Sequence, residues 1–238
     1  MKTIFHASSS RGHANHGWLN AKHSFSFASW YNPDRIHFGA LRVLNDDEVS
    51  AGMGFGMHPH DNMEIITIPL EGAIQHKDSM GNTAVIEAGE VQIMSAGTGI
   101  LHSEFNPKQN EALKLFQIWI LPNKRNVVPR YAQFKIDTEK MKNQFLQLVG
   151  NEINEMGSWI HQDAWLSMAE ISKNNAVQFD FKGKESGVYF MVISGSIKIA
   201  DQNLEQRDAL GVWNTNEVTI IAEEHSKVLA IEVPMEIH

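Results

Sequence analysis

Two short patterns, His58-Pro59-His60 and His102-Ser103-Glu104, constrain this chain more than anything else in it. Each pair is spaced i, i+2, and in an extended strand such side chains leave the same face. The surrounding segments read as strands. Glu64-Ile65-Ile66-Thr67-Ile68-Pro69-Leu70 is β-branched and ends in a Glu71-Gly72 turn; Ala73 to Asp78 follows, then the shorter Val85-Ile86 and Val91-Gln92-Ile93-Met94. Gly52, Gly54 and Gly56 lead into the first pair, and Gly89, Gly97 and Gly99 into the second. Short strands with glycine turns predict a small antiparallel barrel. Two such strands facing each other would aim His58, His60, His102 and Glu104 at a common centre.

That donor set predicts a metal site. Imidazole and carboxylate suit a first-row divalent ion, and two histidines with one carboxylate and open positions is the pattern of non-haem Fe(II) oxygenases. A third histidine leaves about two of six octahedral positions for substrate and dioxygen. Fe(II) is the expected ion, although the same donors accept Ni, Co, Cu, Mn or Zn. The chain has no cysteine, which excludes disulfides, thiolate ligands and a cysteine nucleophile. A formal charge of -8 gives no electrostatic reason to expect nucleic acid or an anionic membrane as partner. The beginning carries Ser8-Ser9-Ser10-Arg11 where a signal peptide would be apolar, and no apolar run approaches the roughly 20 residues of a membrane span. The expectation is a cytoplasmic monomer.

In chain order, the polar stretch Arg11 to Asn20 is expected to wrap the surface, and His23, Phe25 and Phe27 alternate with serines as a half-buried strand. Leu41-Arg42-Val43-Leu44 reads as a strand closed by a turn at Asn45-Asp46-Asp47. His6, His13, His16, His23 and His37 are scattered on polar segments and are assigned structural roles. Phe55, Met57 and Ile100 either line an apolar pocket for a flat aromatic substrate or serve as core.

The motifs Gly54-Phe55-Gly56-Met57-His58-Pro59-His60, Leu70-Glu71-Gly72-Ala73, His76-Lys77-Asp78-Ser79 and Met94-Ser95-Ala96-Gly97-Thr98-Gly99-Ile100-Leu101-His102-Ser103-Glu104 resemble the pirin family of the cupin superfamily. So do His23 to Ala28 and Leu41 to Asp47. The resemblance is dense from Met1 to Pro122 and fainter beyond, where Leu204-Glu205-Gln206-Arg207-Asp208-Ala209 stands in place of a Gly-Asp-Ala turn. It implies an all-β bicupin: two antiparallel jelly-roll barrels packed together, the first holding one metal, usually iron, through His58, His60, His102 and Glu104. Bacterial members similar to this chain are quercetin 2,3-dioxygenases, which open the central ring of a flavonol with O2 and release carbon monoxide. Glu104 is then both ligand and candidate base for the flavonol 3-hydroxyl. Ordinary cupins take as ligand the carboxylate matching Glu64; here Glu64 is expected instead to be structural or to orient a ligand histidine.

Pro122 to Arg130, two prolines around a basic stretch, is the linker candidate, dividing the chain into a metal-binding domain, 1–122, and a second cupin, 123–238. The second half repeats the strand–glycine–strand pattern at Val188 to Ile199. It has no paired histidines: His161, His225 and His238 lie far apart, so no second metal is expected. A second class of function, a metal-binding redox-sensing regulator acting through a protein partner, is implied by eukaryotic members of the same family.

Overall fold

The computed structural model describes residues 1–152 and 158–237, so His238 lies outside the described residues. Both halves are built from one large and one small antiparallel sheet, the bicupin arrangement that the sequence predicts. In the first, seven strands run in the order Arg130–Lys135, Glu90–Ser95, Glu64–Glu71, Leu113–Ile120, Leu41–Val49, Leu19–His23, Gly12–Asn15. Facing them is a four-stranded sheet in the order Gly54–His60, Ile100–Phe105, Ala73–Asp78, Thr83–Glu87. The second half repeats this with six strands and four. Among the described residues no helix is long and apolar enough to cross a membrane.

The large sheets of the two halves share a core. Leu44, Ile66, Ile68, Phe116, Ile118 and Ile120 pack with Leu166, Met168, Tyr189, Met191, Leu229 and Ile231 in one buried cluster. The middle strands of the first large sheet are therefore buried on both faces, which explains why Ile65 to Leu70 runs apolar without alternation. Their other faces turn into the first barrel. At one end of its interior Leu19, Val49, Ile74, Ile86 and Leu115 pack together, and Ile65, Met94, Ala96 and Ile100 form a second cluster. The second barrel's interior is lined by apolar residues such as Val177, Phe190, Ile197 and Ile220.

Two expectations are corrected here. Asn45-Asp46-Asp47 is not a turn: Leu41–Val49 is one strand through them, because pairing with both Leu113–Ile120 and Leu19–His23 supplies every backbone partner. The strand expected over His23 to Phe27 ends at His23, and the stretch from Arg11 forms the hairpin Gly12–Asn15 and Leu19–His23 on the sheet edge. The sheets also do not separate at Pro122. Lys2–His6 pairs with Ala209–Trp213 in the second half's sheet, and Arg130–Lys135 pairs with Glu90–Ser95 in the first half's. A division at 122 and 123 remains a proposal for the bulk of each barrel, with one strand lent in each direction.

Arg207, in the segment that the resemblance sets against a Gly-Asp-Ala turn, takes the left-handed backbone conformation that favours glycine, at φ 70°. Its side chain reaches the other half: Nε donates to Asp46 Oδ2 at 2.8 Å, and the guanidinium lies 5.2 Å from the centre of the Phe116 ring. Arg11 donates to the same Asp46 oxygen at 3.3 Å.

Candidate metal centre

The strands carrying the two histidine pairs are direct neighbours, with His102 opposite His58 and Ile100 opposite His60. The register then slips: Glu104 faces Phe55, so the Gly54–His60 strand holds one extra residue. A Cβ at Gly54 would collide with the Glu104 carbonyl oxygen and Phe105 Cα, so glycine is what lets the strands close up beside the bulge.

Donor atoms of His58, His60 and His102 all lie within 4.8 Å of one another. Their ring centroids are 4.3 to 4.9 Å apart. Glu104 falls in a second, overlapping group, with its carboxylate within the same 4.8 Å limit of donor atoms of His102 and His76. His102 belongs to both. Of the four expected residues, the structure thus clusters the histidines directly and brings Glu104 in beside His102, together with a fourth imidazole that the sequence did not single out.

The donor chemistry fits a cation. His58 Nδ1 sits 2.7 Å from the Gly56 carbonyl, which only accepts, so that nitrogen carries the proton and Nε2 keeps a free lone pair. Burial, then the neighbouring histidines, push His102 down to about 3 and His60 to about 4, which keeps both rings neutral. Both ring nitrogens of His102 are buried without a hydrogen-bond partner among the described residues. A cation would remove one of those deficits. His76 donates through Nε2 to Asp78 at 3.0 Å and stacks on Tyr131, leaving Nδ1 unpartnered.

Glu104 is held by a polar row that crosses the large sheet. His23, Asn45, Gln117, Thr67 and Gln92 are successive register partners on five adjacent strands. Gln117 Nε2 donates to Glu104 Oε2 at 3.0 Å, and the Thr67 hydroxyl lies 3.0 Å from Gln117 Oε1 and 3.4 Å from Glu104 Oε1. Gln92 Nε2 donates to Thr67 at 3.3 Å, and His23 Nδ1 meets Asn45 Oδ1 at 3.0 Å. Burial raises the Glu104 carboxyl above its ordinary range; His76 and these donors oppose the rise.

Beside the cluster a cavity of about 460 Å³ opens, with His58, His60 and Glu104 on its wall. Trp18, Phe27, Phe55 and Trp119 give it flat apolar sides. Phe55 thus lines the pocket, Ile100 is core, and Met57 points outward at 58% exposure. His23, assigned a structural role from sequence, reaches the cavity wall, as do Asn45 and Asp47. Burial, with Asp46 and Glu104 adding to it, pushes the Asp47 carboxyl up to about 8. Glu64 does not orient a ligand histidine: Ser95 donates to its Oε2 at 2.7 Å, and its Oε1 meets His161 Nδ1 of the second half at 3.1 Å. For His76 and Asp78 the signal was their i, i+2 spacing, the rule that puts His58 and His60 on one face, whereas Asn45 and Asp47 share the spacing but carry the composition of a turn.

Residues 4–120 match the family model described as Pirin, and residues 147–233 match the quercetinase C-terminal cupin domain. The chain is 44% identical over 225 residues to the quercetin 2,3-dioxygenase of Escherichia coli (strain K12), covering 94% of this chain and 95% of that one. It is 36% identical over 222 residues to the pirin-like protein of Caulobacter vibrioides, covering 93% and 95%. Among solved structures, bacterial pirin YhhW from Escherichia coli in complex with nickel(II) superposes with a TM-score of 0.93 at 39% identity, over 99% of this chain and 100% of that chain.

Proposed function

The chain belongs to the pirin family, and on that premise we propose that it is a quercetin 2,3-dioxygenase, opening the central ring of a flavonol with O2 and releasing carbon monoxide. The observation that carries the reading is the adjacency of the three-histidine cluster and Glu104 to a flat-walled cavity. A divalent ion, in our reading Fe(II), would be held by His58, His60, His102 and Glu104, and would supply Lewis acidity and the capacity to engage dioxygen.

The chain's own residues do the rest. Trp18, Phe27, Phe55 and Trp119 offer apolar faces and edges to a planar polycyclic substrate and keep water from it. Glu104 takes the proton of the 3-hydroxyl, and Gln117 and Thr67 fix the direction of its oxygens.

The test is oxygen uptake with quercetin on protein loaded anaerobically with Fe(II), compared with His58→Ala and with Glu104→Gln at full metal content. Rapid uptake with carbon monoxide release, lost in His58→Ala, is the expected result. Undiminished turnover in metal-loaded Glu104→Gln would overturn the base role, and no turnover by the metal-loaded parent would overturn the activity.

A further inference from the structure

Asp47 is a buried carboxyl, 6% exposed, whose Oδ1 meets no donor among the described residues. Its neighbour Asp46, on the opposite face of the strand, is met by Arg11 and Arg207. Asp47 instead points to the barrel interior, where its register partners are Ala21 and Leu115, neither of which can donate from its side chain. It lines the same cavity as Glu104. Two residues, about 7 Å along the strand, separate it from Asn45, whose row fixes Glu104 through Gln117. An unpartnered carboxyl lowers stability, so packing alone does not account for it. A ligand would.

The partner it needs is a hydrogen-bond donor, since a carboxyl offers an acceptor oxygen whether or not it holds a proton. The cavity's flat apolar walls make that donor a substituent on an aromatic ring. We propose that Asp47 is a specificity-determining residue, accepting a hydrogen bond from a flavonol ring hydroxyl other than the one that gives its proton to Glu104. This rests on the flavonol reading above. The consequence is selection for polyhydroxylated flavonols, because a site built around a substrate hydroxyl rejects the analogue lacking it.

The experiment compares quercetin with 3-hydroxyflavone, which keeps only the reacting hydroxyl, on metal-loaded parent, Asp47→Leu and Asp47→Asn. It reads kcat/KM, and separately reads binding by tryptophan fluorescence under nitrogen. The parent is expected to prefer quercetin by about tenfold in both readouts, as for a buried acceptor left without its partner by the analogue. Asp47→Leu should collapse that ratio toward one. Asp47→Asn, with one acceptor oxygen left, should keep an intermediate ratio, and it covers the case in which the leucine variant fails to fold. A parent that shows no preference, or variants that retain the parent's ratio, would overturn the role of Asp47 while leaving the activity standing. A parent that neither binds nor turns over quercetin would overturn the flavonol reading, and this proposal with it.

Discussion

Glu64 stands four residues after His60, where ordinary cupins carry a carboxylate ligand, and here it is spent on joining the two halves through His161. Glu64→Gln is therefore expected to keep full metal content, measured by bound metal per chain; loss of the metal would make Glu64 a ligand. Its titration gives a second readout. Burial holds its carboxyl near 7 against an ordinary value of 4.5, with the Ser95 and His161 contacts opposing. The folded protein therefore binds this proton more tightly than the unfolded chain. Stability falls as pH rises from about 4.5 to about 7. The Gln variant should flatten that slope in urea unfolding, and an unchanged slope would exclude Glu64 as its source. Such single-residue roles were unevenly legible. His58, His60 and His102 could be read because spacing within a strand fixes their face. Asp47 could not, because Asn-Asp-Asp has the composition of a turn, and its strand state is imposed by partners far away in sequence.

At the level of strands, the row from His23 to Gln92 puts one polar residue on each of five neighbouring strands, in register. Thr67, Gln92 and Gln117 each interrupt an otherwise apolar run. The interruption is visible in sequence, but its meaning depends on register, which only the assembled sheet sets. Gln117→Leu is similar in size and removes the donor to Glu104 Oε2. It should lower kcat for quercetin by roughly 10- to 100-fold, the usual effect of removing a group that orients a metal-site residue. Far-ultraviolet circular dichroism should stay that of the parent. Unchanged kcat would mean that the row serves packing alone. The strands of the first barrel were otherwise readable from β-branched runs and glycine turns. The second half was less so: Ala176–Asp180 and Ala209–Trp213 follow turn residues, but each short run holds a single β-branched residue, Val177 or Val212.

For the molecule as a whole, the two barrels are joined by a shared core and by exchanged strands, so each half completes a sheet of the other. Removing residues 1–6 should act on the second barrel. Ala209–Trp213 loses its edge partner and the Tyr189 hydroxyl loses His6, 2.9 Å away. Amide hydrogen exchange should rise in Ala209–Trp213, while metal content, set in the other barrel, stays at the parent value; the reverse pattern would mean that the first strand supports the site. Sequence alone places Lys2–His6 with the domain it precedes, since no local signal announces a partner beyond residue 200. The same exchange sets an order of events at birth. Lys2–His6 is synthesised long before its partner Ala209–Trp213, so a nascent polypeptide cannot close this ladder until the second half has followed. Four of that strand's five residues are exposed even in the finished protein, Ile4 and Phe5 among them, with Lys2 as the one charge that blunts the waiting edge.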